Sequence, residues 1–240
     1  MKKAKKVVAL ALCAVLLVVG SVTGTMAYLT SQDEVVNTFT VGNVVIKLDE
    51  KNVDGDKITV DGKEETPERD KSNDYKLIPG GTYVKDPTVH VEANSEPSYV
   101  RMLVTVNNVN ALKEAFPDKV VDGVFLLQDF VDWNSSVWAF EGYKPADNGG
   151  IYEFRYSIAD GVVTVDKNVV DADGYYTLPA LFNNITIPGT VDNTDLAKLQ
   201  GVTIDVKAHA IQAAGFTATD DGKSAVDNAW AAFDGQMANN

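Results

Sequence analysis

Apolar residues fall at every second position in one short stretch after another, and Gly, Pro, Asn or Asp interrupts each stretch before it grows long. Residues 99–109 show the pattern most clearly: Val100, Met102, Val104 and Val106 alternate with Arg101, Leu103 and Thr105. A side-chain period of two is the period of a β-strand. Both faces of this stretch are largely apolar, so it is expected at the centre of a sheet. Val44, Ile46 and Leu48 alternate with Val45 and Lys47, which places a half-buried strand within 35–48. Residues 82–91 resume strand character, and Pro87 marks an edge or a strand start there. Further strands are predicted over 138–143, 151–158, 162–165, 175–178, 184–187 and 202–210, with Asp160-Gly161 turning 151–158 into a hairpin with 162–165. Residues 124–133 fit either helix or strand. Residues 51–74 are dense in charge and turn residues, and read as an exposed hairpin or long loop. Helical signals are few. Asn110 can cap a short helix to Phe116, Asn193 one to Leu199, and 224–233 place Ala225, Ala229, Trp230 and Phe233 on one side of a terminal helix. Many short strands with helices only in the connections predict an all-β fold, an antiparallel β-sandwich. A jelly roll is one topology of that architecture.

The first 27 residues have a different logic. Lys2, Lys3, Lys5 and Lys6 precede an uncharged apolar stretch over 7–19, and Thr25-Met26-Ala27 is a small-x-small cleavage signal. That three-part layout is a secretory signal peptide, with cleavage expected between Ala27 and Tyr28. A spanning helix needs about 20 predominantly apolar residues, and 7–26 is long enough to compete, but the small and hydroxylated residues near its end favour cleavage. The expected organisation is a signal peptide over 1–27 and one β-sandwich domain over 28–240, secreted or at the cell surface, touching membrane only through the uncleaved signal.

Loss of the four signal-peptide lysines takes the formal charge from −13 to −17. A surface that acidic repels nucleic acid and anionic membranes. The single Cys, Cys13, leaves with the signal peptide, so no disulfide and no cysteine chemistry are expected in the product. Only two His are present, His90 and His209, each in a strand pattern and without the helical spacing of a zinc protease. Gly222-Lys223-Ser224 ends like a phosphate-binding loop but lacks its first Gly at the right spacing, and reads better as a turn and a helix cap. Calcium is the one ion the acidic turns suggest, through Asp54 and Asp56 or Asp171 and Asp173, although neither completes a twelve-residue calcium loop. No other cofactor is expected. Trp133, Trp138, Phe140, Tyr143, Tyr152, Phe154 and Tyr156 cluster in sequence, as a sugar-stacking face or, more often, as core.

Several blocks resemble a known family. Met26-Ala27-Tyr28-Leu29-Thr30-Ser31-Gln32-Asp33, then Asn37-Thr38-Phe39-Thr40-Val41-Gly42-Asn43-Val44, looks like the N-terminus of Gram-positive proteins processed by the SipW-type signal peptidase. That group includes the biofilm matrix protein TasA and the camelysins. Ile78-Pro79-Gly80, Lys85-Asp86-Pro87-Thr88-Val89, Ser98-Tyr99-Val100-Arg101, the segment Ala208 to Phe216 and Ala229-Trp230-Ala231-Ala232-Phe233 look like its later blocks. The resemblance implies a jelly-roll-like sandwich, a SipW-type peptidase as processing partner, and self-association into extracellular fibres. One subunit's N-terminal strand would complete the sheet of the next, through a strand that includes Val41, Val44, Ile46 and Leu48. The leading expectation is a non-enzymatic structural protein of the biofilm matrix or cell surface. A monomeric adhesin or carbohydrate-binding module comes second, and a camelysin-like metalloprotease third.

Overall fold

The computed structural model of the chain describes residues 43–55, 58–60 and 63–238. The first strand among the described residues is β1 (Ile46–Lys51), which runs on past Leu48; residues 35–42 of the expected strand lie outside the described residues. The charged stretch then folds as predicted into a hairpin, β2 (Ile58–Val60) with β3 (Lys63–Glu65), followed by the short β4 (Arg69–Asp70). Pro87 splits the next predicted strand in two, β5 (Thr82–Val84) and β6 (Thr88–Glu92). Proline cannot donate to a ladder, and the two halves join different sheets. β7 (Ser98–Val106) is central, as its apolar faces demand. Helix α1 (Val109–Ala115) is capped by Asn108, whose side chain accepts from the Ala111 N–H, and not by Asn110.

After β8 (Val120–Val121), the ambiguous stretch 124–133 resolves into both: β9 (Val124–Phe125), which pairs with β8, a single 3-10 turn (Leu127–Asp129), and β10 (Val131–Trp133). β11 (Trp138–Ala146) and β12 (Gly149–Tyr156) form a long hairpin. A side chain at Gly149 would collide with the Val106 carbonyl, so the strand needs glycine where it meets β7. β13 (Val162–Val163) corrects an expectation: it makes no hairpin with β12. β16 (Ile204–Gln212) covers one edge of β7 along its whole length, so β12 and β13 share the other edge, both antiparallel to β7. They therefore run in the same direction, and Asp160 and Gly161, at φ 57° and 81°, return the chain to that edge. β14 (Tyr175–Thr177), β15 (Phe182–Thr186), helix α2 (Asn193–Lys198), which Asp192 caps in place of the expected Asn193, and helix α3 (Ala225–Met237) complete the order. Ser224 caps α3 in a reciprocal box with Asp227, which settles Gly222-Lys223-Ser224 as turn and cap.

Three antiparallel sheets carry the architecture: β14-β6-β1-β4, β10-β15-β5, and β11-β12-β7 with β13 and β16. Their inner faces meet in one core. Val100, Met102, Val104 and Val106 of β7 pack with Val89 and Val91 of β6, Phe182 and Ile185 of β15, and Leu112 and Phe116 beside them. The fold is thus an antiparallel β-sandwich, as the period-two pattern predicted. A second, smaller cluster lies on the outer face of β7, where Ala229 and Trp230 of α3 cover Tyr99.

Candidate functional site

Of the aromatic cluster around 133–156, three residues are core and four lie partly buried against it. Trp138, Tyr152 and Phe154 are fully buried. Their rings form a ladder across β11 and β12: Trp138 on Tyr156, Phe140 on Phe154, Tyr143 on Tyr152, with Trp133 against Phe154. The Tyr152 hydroxyl donates to the Phe125 carbonyl at 2.7 Å, so even its polar end is satisfied inside. Trp133, Phe140, Tyr143 and Tyr156 are only partly buried and pack against this core from outside.

The open feature lies on the opposite flank of β7. Between β1 and β16 runs a groove of about 1150 Å³. Ile46 and Leu48 form one wall, and Ile204, Val206 and Ala208 form the other. Leu112, Phe130, Ile185, Ile187, Leu196 and Leu199 line its floor. The inward side chains of β7 are fully buried, but those of its neighbour β16, Ile204, Val206 and Ala208, are only partly covered. Backbone directions follow from the ladders. The Val45 carbonyl accepts from Glu92 on β6, so by alternation Ile46 and Leu48 turn their N–H and C=O groups toward the groove. The Thr203 carbonyl accepts from Asn107 beside β7, so Ile204, Val206 and Ala208 turn theirs toward the groove from the other side. Among the described residues no strand pairs with either of these edges along 46–49 or 204–212. The groove thus offers apolar side chains below and two rows of backbone donors and acceptors at its sides.

Charge gathers around β1. On its outer face Asp49 is buried and meets two cations and an imidazole: Arg69, whose Nε meets Oδ1, Lys47 at 2.9 Å, and His90, whose Nε2 lies 2.9 Å from Oδ1. Burial alone would raise the Asp49 carboxyl, but the hydrogen bonds from His90, Arg69 and Lys47 outweigh it and hold the group well below the usual carboxylate range. His90 Nδ1 meets the Thr177 hydroxyl at 2.8 Å, and Arg69 reaches on to Asp86 at 3.0 Å. These contacts tie β14, β6, β1 and β4 together. On the inner face, at the polar end of the groove, Glu50 and Lys85 are both buried and pair at 2.9 Å.

The two histidines are apart in role and place. His209 lies on β16 beneath α3, where Arg101 Nε donates to its Nδ1 at 3.3 Å and the Phe233 ring stacks on it. Burial, then the neighbouring Arg101 charge, pushes the His209 imidazole down from its ordinary value. Arg101 itself is buried, with Trp230 at 4.4 Å from its guanidinium carbon and Asp234 clasping its two terminal nitrogens. Among the described residues no group of three or more His, Cys, Asp or Glu is placed to hold a metal ion. The Asp54 carboxylate accepts from the Asp74 N–H at 2.7 Å, while Asp171 accepts from the N–H groups of Asp173 and Tyr175 in its own turn. Asp56 lies outside the described residues, as do Ala27, Tyr28 and Val41.

Val44 precedes β1. Ile46 and Leu48 belong to the domain's own sheet, opposite Val91 and Val89, and form a wall of the groove. The partly covered face of β16 and the Glu50–Lys85 pair had no sequence signal that set them apart, beyond a carboxylate at the end of an apolar alternation. No family model, no curated protein and no solved structure matches this chain.

Proposed function

We propose that this is an exported structural protein of the extracellular matrix or cell surface, and that its copies join strand to groove. Residues 28–41 of one copy would lie as an added strand between β1 and β16 of the next. The observation that carries this reading is the groove: partly covered apolar side chains flanked by two strand edges that have no partner among the described residues. An exposed edge is a template for a further strand, and main-chain hydrogen bonds give such an addition its affinity. Val35, Asn37, Phe39 and Val41 share one parity in the candidate segment, so an added strand would turn a largely apolar face to the groove floor. The resemblance of 26–44 to the start of TasA and the camelysins supports the same reading, together with export through a SipW-type peptidase and a jelly-roll-like strand order. Cleavage after Ala27 would free the segment's end.

Electron microscopy and sedimentation of the processed chain, with and without residues 28–41, test this. The full chain is expected to form fibres. The truncated chain is expected to stay monomeric and to bind a synthetic 28–41 peptide with a raised melting temperature. Fibres of equal yield from the truncated chain would sink the proposal. So would a full chain that stays monomeric with its own segment in its own groove.

A further inference from the structure

Lysine is among the residues least often buried, and a buried charge pair contributes little to net stability. Lys85 and Glu50 are nonetheless 8% and 6% exposed. Both Glu50 oxygens are engaged: Oε2 accepts from Lys85 Nζ at 2.9 Å, and Oε1 accepts from Asn73 Nδ2 at 3.1 Å. One carboxylate thus bridges a buried amine and a carboxamide. The carboxamide is fixed from every side. Its Nδ2 also donates to the Lys51 carbonyl at 2.9 Å, and its Oδ1 accepts from the Val53 N–H at 2.7 Å. Lys85 is held just as firmly, with its own N–H bonded to the Asn183 carbonyl at 3.0 Å and the Tyr75 ring 5.8 Å from its ammonium.

We propose that Lys85 and Asn73 join covalently, as an amide between Lys85 Nζ and Asn73 Cγ that the fold forms on itself with Glu50 as proton carrier. Glu50 takes a proton from the Lys85 ammonium, and the freed amine attacks Cγ. The developing charge on Oδ1 falls on the Val53 N–H, a preorganised donor of the kind that stabilises an oxyanion. The new C–N bond forms and the Cγ–Nδ2 bond breaks. Lys85 gives up two of its three protons in all, and both pass through Glu50 to Nδ2, which departs as ammonium. No oxidant, reductant or outside reagent is needed, and the folded chain supplies the effective concentration. A carboxylate that holds nucleophile and leaving group at once is placed for general acid–base work. An ordinary buried ion pair would occupy Lys85 without needing an amide on the same carboxylate or a backbone donor on that amide's oxygen.

The bond would staple the end of β5 to the segment after β4, against the last turn of β1. It closes only the short loop 73–85, so its effect is local: it fixes the polar end of the groove whatever the groove binds.

A tryptic digest of the full chain, secreted or purified after folding, reads this directly by mass spectrometry. Cleavage after Lys85 should be lost. Residues 72–76 should appear joined to residues 77–101 in one branched peptide, lighter than the two together by one ammonia. Recovery of 72–76 and 77–85 as ordinary peptides, with no branched species, overturns the proposal without any variant being made. Glu50→Gln keeps the shape and removes the proton carrier, and is expected to abolish the branched peptide while the unlinked ones return. A Glu50→Gln chain that still carries the branch overturns the role given to Glu50.

Discussion

On one side of β7 the inner layer is aromatic and closed; on the other it is aliphatic and open. β12 sets Tyr152 and Phe154 opposite Val104 and Met102, and β11 then stacks Phe140 and Tyr143 on those rings. β16 sets Val206 and Ala208 opposite the same two residues of β7, with the groove beyond. The same residues of β7 therefore meet large rings on one flank and small aliphatic groups on the other. The two flanks are also held by different forces. The closed flank relies on packing, whereas β1, the far wall of the open flank, is anchored by charge, through Asp49 on one face and Glu50 on the other. On the proposed reading the open flank accepts another strand, and such a region cannot fill itself with rings, whereas ion pairs at its margins can hold its walls without occupying its floor.

Substitutions on the two flanks should separate these roles. Phe154→Ala removes a fully buried ring from the closed flank, and a cost of about 3–5 kcal/mol in denaturant unfolding is expected. Asp49→Ala comes next. It leaves Arg69 and His90 without their shared buried carboxylate, and breaking such a cluster costs about 3 kcal/mol. The Asp49 carboxyl is held below the usual range, so its contribution is present above the ordinary carboxylate value and drains as pH falls through the lower, folded value. The anchoring of β1 should accordingly survive mild acid and be lost only in strong acid, and the Asp49→Ala chain should lack that acid-end transition. Val206→Ala is the open-flank counterpart of Phe154→Ala. Its side chain is already partly in solvent, so a loss of about 1 kcal/mol or less is expected, alongside a clear fall in fibre yield. A loss as large as that of Phe154→Ala would mean that the flank is closed after all.

The contrast also explains what could be read in advance. β7 was legible because both of its faces are apolar, and a strand buried on both sides has little freedom to be anything but central. The α3 cap was legible because a Ser followed at the third residue by Asp is a local device that needs no partner from afar. Edges were not legible. Alternation tells which face of a strand is wet, but not which strand lies beside it. Residues 202–210 alternate as well as an internal strand would, and nothing in them says that β16 has a neighbour on one edge only among the described residues. The same limit hid the β12–β13 relation: Asp160-Gly161 is a good hairpin turn by composition, yet the chain uses it to rejoin the edge it had just left. Glu50, Lys85 and Asn73 are ordinary surface types in sequence, and only the fold brings them onto one carboxylate.

The outer face of β7 gives the smallest effect and a separate handle. There α3 covers Arg101 and His209, with Lys207 on the same strand and Glu153 and Asp234 as the nearby carboxylates. Burial and the Arg101 charge lower the His209 imidazole, so the folded chain prefers it neutral. Its contribution is fully present above the ordinary imidazole value near 6.5 and is lost as pH falls toward the lower folded value, because the unfolded chain takes up the proton first. The Asp234 carboxyl, lowered chiefly by its hydrogen bond to Arg101, loses its contribution only further down, as pH falls through its own folded value. Melting temperature should therefore decline gently just below neutrality, well before any carboxylate transition. His209→Gln should flatten that first decline and leave the acid-end transition in place. The readout belongs to α3 and not to the groove: the truncated chain lacking 28–41 should show the same slope, and a slope that vanished with that segment would place His209 in the assembly and not beneath the helix.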